Sequence, residues 1–118
     1  MTETAMNVEW PDHLDALIAA PEHHEILFES DRVRVLDSRV PSGESTPVHT
    51  HRWPAVLYII GESDFIRYDP QGNVIFDSRN GESTSNVGKA IWSPPLTPHY
   101  VKNVGDGEIR VISVEIKE

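Results

Sequence analysis

Cysteine is absent from the 118 residues. That removes disulfides, thiolate zinc sites and a Cys nucleophile together, so any metal must use His or oxygen ligands. The absence fits a reducing compartment. Basic residues are few, 10 Lys and Arg against 19 Asp and Glu for a net charge of −9, and they are scattered singly. No Lys/Arg run is present to follow a phosphate backbone, which argues against nucleic acid as a partner. Long apolar runs are missing too. Nothing approaches the ~20 residues of a membrane span, and "MTETAMNVEW" has no basic region followed by an apolar one. The expectation is a soluble, cytoplasmic protein with no membrane partner. The length suits a single compact domain over 1–118, able to bury roughly two-thirds of the surface its unfolded chain exposes.

What is present is mostly strand-like. "WPDHLDALIAA" places Leu14, Leu17 and Ile18 at helical spacing, with Asp12 as N-cap and Pro21 as stop, which predicts one short helix within an N-terminal extension of residues 1–24. From Glu25 onward, "EILFES", "RVRVLDSRV", "AVLYIIG", "DFIRYD", "NVIFDS", "KAIWS", "PHYVKN" and "EIRVISVEIK" are β-branched or aromatic runs broken by Gly, Pro, Asn and Asp. About eight strands at this spacing predict an all-β sandwich or barrel over 25–118. Asp69-Pro70-Gln71-Gly72, Asn80-Gly81 and Gly105-Asp106-Gly107 supply tight turns and hence antiparallel neighbours.

In "PVHTHRWPAVLYIIG" the pair His49 and His51 is spaced so that a strand presents both rings on one face, as adjacent ligands of one ion require. The same pair on a solvated face would look identical. The surroundings add to it. Gly43 precedes His49 with five residues between them, and Gly61 closes the run. Further on, "GKAIWSPPLTPHYVKN" gives Gly88, then Pro94-Pro95-Leu96, His99 and Asn103 at fixed offsets. Together these resemble the two signature motifs of the cupin superfamily, and the likeness is to its small single-domain bacterial members.

The resemblance implies a double-stranded β-helix, or jelly-roll barrel, with one divalent transition metal in its mouth (Fe first, with Mn, Ni, Zn or Cu as alternatives). His49 and His51 would be ligands from the first motif and His99 from the second. Two departures stand out: Ala55 and Val56 occupy the positions of the first motif's carboxylate, and Leu96 that of a Gly. Three neutral imidazoles would leave the ion its full double charge and favour an anionic chelator. That ligand set resembles the one in certain cupin dioxygenases, and the expected function is non-haem Fe(II)-type dioxygenation of a small chelating anion. A metal-dependent isomerase or hydrolase and a non-catalytic ligand-binding module remain as alternatives.

Further residues are assigned by position. Ala55 and Leu57 share strand parity with His51 and are expected to wall a ligand pocket, with Trp53, Trp92 and Tyr100 close to the ligands in sequence. An inward-facing Arg among Arg34, Arg52 and Arg67 would pair with a substrate carboxylate. His13, His23 and His24 are expected at the surface, and Asn103 at a turn or strand-end hydrogen bond. Exposed sheet edges and apolar outer faces predict a homodimer.

Overall fold

A computed structural model of the chain describes residues 10–81 and 84–117. Nine strands fill it: β1 (His24–Glu29), β2 (Val33–Val40), β3 (His49–His51), β4 (Ala55–Gly61), β5 (Phe65–Tyr68), β6 (Val74–Asp77), β7 (Ala90–Ser93), β8 (Leu96–Asn103) and β9 (Ile109–Ile116). They form two sheets, a five-stranded one in the order β1-β2-β9-β4-β7 and a four-stranded one in the order β3-β8-β5-β6. Every pairing is antiparallel. This is the expected all-β jelly roll. The additional strand is β3, whose three residues are too few to form a β-branched run in the sequence.

Alternation explains which face each strand buries. On β2, Arg34, Leu36 and Val40 point inward and are buried, while on β4 the inward set is Ala55, Leu57 and Ile59. The intervening Val56, Tyr58 and Ile60 face outward. Between the sheets lies a cavity of about 740 Å³.

The predicted helix is shorter and differently capped. Asp12–Leu14 make a single 3-10 turn, and α1 covers only Ala16–Ala19. The cap is Asp15 rather than Asp12: Asp15 has extended backbone (ψ 141°) and its carboxylate accepts from the Leu17 N–H. The chain therefore breaks between the two short pieces, and Asp15 is free to do the capping. No helix among the described residues is long and apolar enough to cross a membrane.

The glycines that open the two motifs, Gly43 (φ +83°) and Gly88 (φ +80°), lie in the left-handed region. A side chain there would be strained, which accounts for Gly at each. Asn103 is fully buried; it donates from Nδ2 to the carbonyls of Val40 and Gly107 and accepts on Oδ1 from Gly105 N–H and Ser63 Oγ. It ties the β8–β9 turn to the end of β2.

Candidate metal centre

Four imidazoles meet at the cavity. His49 and His51 come from β3, His99 from β8, and His24 from the first position of β1. The His49 ring is the hub, with centroids 4.8 Å from His24, 4.9 Å from His51 and 4.6 Å from His99. His51 lies 5.3 Å from His24 and 5.8 Å from His99. The nitrogens that His24, His49 and His51 offer fall within 4.8 Å of one another, a trio that holds His24 in place of the expected His99. Register places the rest, since His49 and His99 are direct cross-strand partners.

His24 corrects the sequence expectation. Its pairing with Ser38 turns its ring onto the inner face of the five-stranded sheet, where it is buried. His23 is buried as well, with Nε2 3.1 Å from Glu44 Oε1. His13 is exposed as expected.

The hydrogen bonds of the four rings share one pattern. Nδ1–H of His24 donates to the Ala20 carbonyl (3.0 Å), that of His49 to Pro47 (2.9 Å) and that of His99 to Thr97 (2.7 Å). Nδ1–H of His51 donates to Glu115 Oε2 at 3.3 Å. Carbonyl and carboxylate oxygens only accept, so each Nδ1 carries a proton, and in a neutral ring of this tautomer Nε2 keeps its lone pair. Burial reinforces neutrality: it lowers the pKa of His24 to about 4, that of His99 to about 3 and that of His49 to about 2, with neighbouring imidazoles adding to the effect. These are the features a divalent ion needs from imidazole ligands, neutral rings with a fixed tautomer. The donor set fits a transition metal.

Glu115 was not anticipated from the sequence. Only 1% exposed, it sits on the inner face of β9, and its cross-strand partners are Ala55 on one side and Arg34 on the other. Its Oε1 accepts from Arg34 Nε at 2.6 Å, while the other two Arg34 nitrogens each reach an Asp15 oxygen at 3.0 Å. Burial would raise the Glu115 carboxyl, but the bonds from His51 and Arg34 outweigh it and hold the pKa below its usual range. The Arg34 pKa is raised, because the bonds to Asp15 and Glu115 outweigh its burial. Two carboxylates and one guanidinium leave a net negative charge behind His51. The site is therefore not as uncompensated as three neutral imidazoles alone imply: a carboxylate missing at Ala55 is present one strand over. The clue in the sequence is a charged residue at inward parity in "VISVEIK".

Of the remaining expected pocket residues, Trp53, Ala55 and Leu57 line the cavity. Trp92 and Tyr100 do not. Trp92 pairs with Val56 on the outer face and is 62% exposed. Tyr100 follows His99 in the strand and so faces the other way, where it stacks on Tyr68 at 4.8 Å. Proximity in sequence misled here because alternate strand residues point apart.

No model of a known protein family matches the chain. An uncharacterized protein of Methanocaldococcus jannaschii is 25% identical over 89 residues, which cover 75% of this chain and 64% of that protein. The chain thus spans just under two-thirds of that relative's length. Among solved structures, a cupin domain from Bordetella pertussis Tohama I superposes with a TM-score of 0.63 at 24% identity, covering 80% of this chain and 92% of the other. An RmlC-like cupin with a double-stranded β-helix fold from M. jannaschii gives 0.55 at 16% identity, over 79% and 77% of the two chains. The polyketide cyclase RemF from Streptomyces resistomycificus gives 0.51 at 25% identity, over 80% and 64%. With its two antiparallel sheets closed around a histidine-lined cavity, the chain shares the double-stranded β-helix fold of the RmlC-like cupins.

Proposed function

We propose that this protein holds one divalent transition ion on His49, His51 and His99, with His24 as a fourth nitrogen, and acts as a non-haem Fe(II)-type dioxygenase on a small chelating anion. The observation that carries the metal reading is the shared Nδ1 pattern, which leaves buried Nε2 lone pairs gathered around one cavity. An all-nitrogen set suits Fe, Mn, Ni, Zn or Cu, and cellular supply decides among them. A bound Fe(II) would supply Lewis acidity and a meeting place for chelating substrate and dioxygen. The chain's own part is to fix the rings, to keep the His51 proton on Nδ1 through Glu115, and to exclude water along the apolar wall of Ala55, Leu57 and Ile59.

Elemental analysis of protein purified under nitrogen from iron-fed cells is expected to give about one ion per chain, lost in His49→Ala/His51→Ala. His24→Ala should keep the stoichiometry and weaken affinity by about 10-fold or more in a competition titration. Unchanged affinity would remove His24 from the ligand set. Iron-loaded protein should consume dioxygen with one of a panel of β-diketones, thiols and hydroxylated aromatic acids. Full iron occupancy without uptake on any would sink the dioxygenase reading and favour metal-assisted chemistry without dioxygen. The likeness to RemF, a polyketide cyclase, supports that second reading.

The partner we infer for the outer face is a second copy. Phe28, Val35, Val114, Val56 and Trp92 are successive cross-strand partners, a row of apolar side chains spanning all five strands. Phe28 is 56% and Trp92 62% exposed. A chain of net charge −9 can approach its own copy most readily through such an uncharged row of side chains. Sedimentation is expected to show a dimer that Val56→Asp/Trp92→Asp dissociates; a dimer unaffected by that variant would place the interface elsewhere.

A further inference from the structure

The three inward or near-inward arginines differ in what they have left to give a ligand. Arg34 is spent: all three of its nitrogens bond Glu115 or Asp15. Arg52 lies at the surface beside Asp12, 3.4 Å away. Arg67 lines the cavity, and among the described residues no carboxylate lies within salt-bridge distance of it. Its Nε is buried with no hydrogen-bond partner. Burial lowers its pKa with no neighbouring charge to oppose the effect. A half-buried guanidinium with an unmet buried donor is costly, and an anion arriving from solution would relieve that cost.

Its surroundings describe the rest of the ligand. The Arg67 guanidinium carbon is 6.0 Å from the ring centroids of both Phe65 and Phe76, which are 5.5 Å from each other. Arg67 pairs across the strands with Val101, two residues from His99 on the same inner face of β8, and its charge is close enough to depress the His99 pKa. Three acids also line the cavity, but Glu115 accepts from Arg34 and His51, Glu62 from Asn86 N–H and Ser85 Oγ, and Asp64 from Ser78 Oγ. Arg67 is the only cation among the described cavity residues, with no lysine beside it. One guanidinium matches the charge and the forked geometry of one carboxylate.

We propose that Arg67 is the anion anchor of the barrel, holding the carboxylate of a small monocarboxylic acid whose apolar body lies against Phe65 and Phe76 and points toward the histidine cluster. This deepens the reading of the cavity as a substrate site and rests on it. It does not require that the ion be iron.

The test uses benzoate and hexanoate as probes, with benzamide as the neutral counterpart, titrated calorimetrically into metal-free and zinc-loaded protein. The native chain is expected to bind at least one carboxylate probe about 10-fold or more tighter than benzamide, a preference worth about 1.4 kcal/mol. Arg67→Met, which removes the charge and nearly keeps the length, should erase that preference while metal stoichiometry stays unchanged. Its urea midpoint should hold or rise, because a half-buried cation with an unmet donor is gone; a structural arginine would instead lower it. Arg67→Lys should restore part of the preference. Carboxylate affinity that survives Arg67→Met, or no affinity for either probe in the native chain, overturns the proposal. Carboxylate binding that persists in metal-free protein, with no ion taken up by the native chain, would leave Arg67 in place and sink the metal reading alone.

Discussion

Acidifying the metal-free protein from pH 6 to pH 5 is expected to cost it about 3–4 kcal/mol of folding stability. The cause is the three buried imidazoles, whose pKa values burial and mutual repulsion lower from 6.5 to about 4 for His24, 3 for His99 and 2 for His49. Below pH 6.5 the unfolded chain takes up a proton at each of the three while the folded chain does not. Stability therefore rises with pH in this window, and it is lost progressively as the pH falls from 6.5 toward the folded values. The Glu115 carboxylate has the same sign but a lower window, since its depressed pKa contributes stability above the unfolded value near 4.5 that disappears on further acidification. Domains of this size carry about 5–15 kcal/mol in all, so the barrel should open in mild acid. Urea midpoints at pH 7, 6 and 5 measure the slope, and His24→Gln should lower it by about a third. A slope below about 1 kcal/mol per pH unit would mean that the rings are solvated and chargeable in place. A bound ion occupies the same nitrogens and should steepen the dependence.

Glu115→Ala is expected to destabilise the chain by about 3 kcal/mol, because it strips one carboxylate from the buried Arg34 guanidinium and leaves only Asp15 to match it. The second effect is on the metal. Without an acceptor 3.3 Å away, the His51 ring is free to rotate and to change tautomer, and affinity should fall about 10- to 100-fold. Glu115→Gln separates the two: it keeps the volume and one acceptor oxygen, so the stability loss should be smaller while the affinity loss persists. Urea unfolding and a competitive chelator titration read these independently. Metal affinity left intact by both variants would show that the carboxylate does not orient His51.

How far the sequence could be read depended on what each residue announces locally. The strands were legible because alternation is local, and so was the juxtaposition of His49 and His51 within one short strand. Of the expected turns, Asp69–Gly72 joins the paired β5 and β6, whereas Asn80-Gly81 and Gly105–Gly107 connect strands that lie in different sheets, an arrangement that local turn chemistry does not reveal. His99 became legible only through the cupin motif spacing, since nothing near it says that β8 pairs with β3. His24 was illegible for the opposite reason: it sits next to His23 at the start of β1, where the helix exit gives no sign that the ring turns inward. Glu115 and Arg34 could be seen as charges at inward parity, but their meeting depends on β2 and β9 lying side by side across 81 residues of chain. Trp92 and Tyr100 show the converse, aromatic residues near the ligands in sequence that parity sends to the outside.

The acceptors that fix the four rings differ in how far away they lie along the chain. His49 and His99 each use a carbonyl two residues back, and His24 one four residues back. Those three orientations are encoded within a few residues and can be set wherever the local turn forms. His51 depends on a partner 64 residues ahead, on the last strand of the barrel. As a polypeptide emerges from the ribosome, the cluster stays one properly tuned donor short until β9 has been made and slotted between β2 and β4. Ion capture at full strength is thereby tied to completion of the barrel, and a prematurely ended chain would lack the carboxylate that finishes the site.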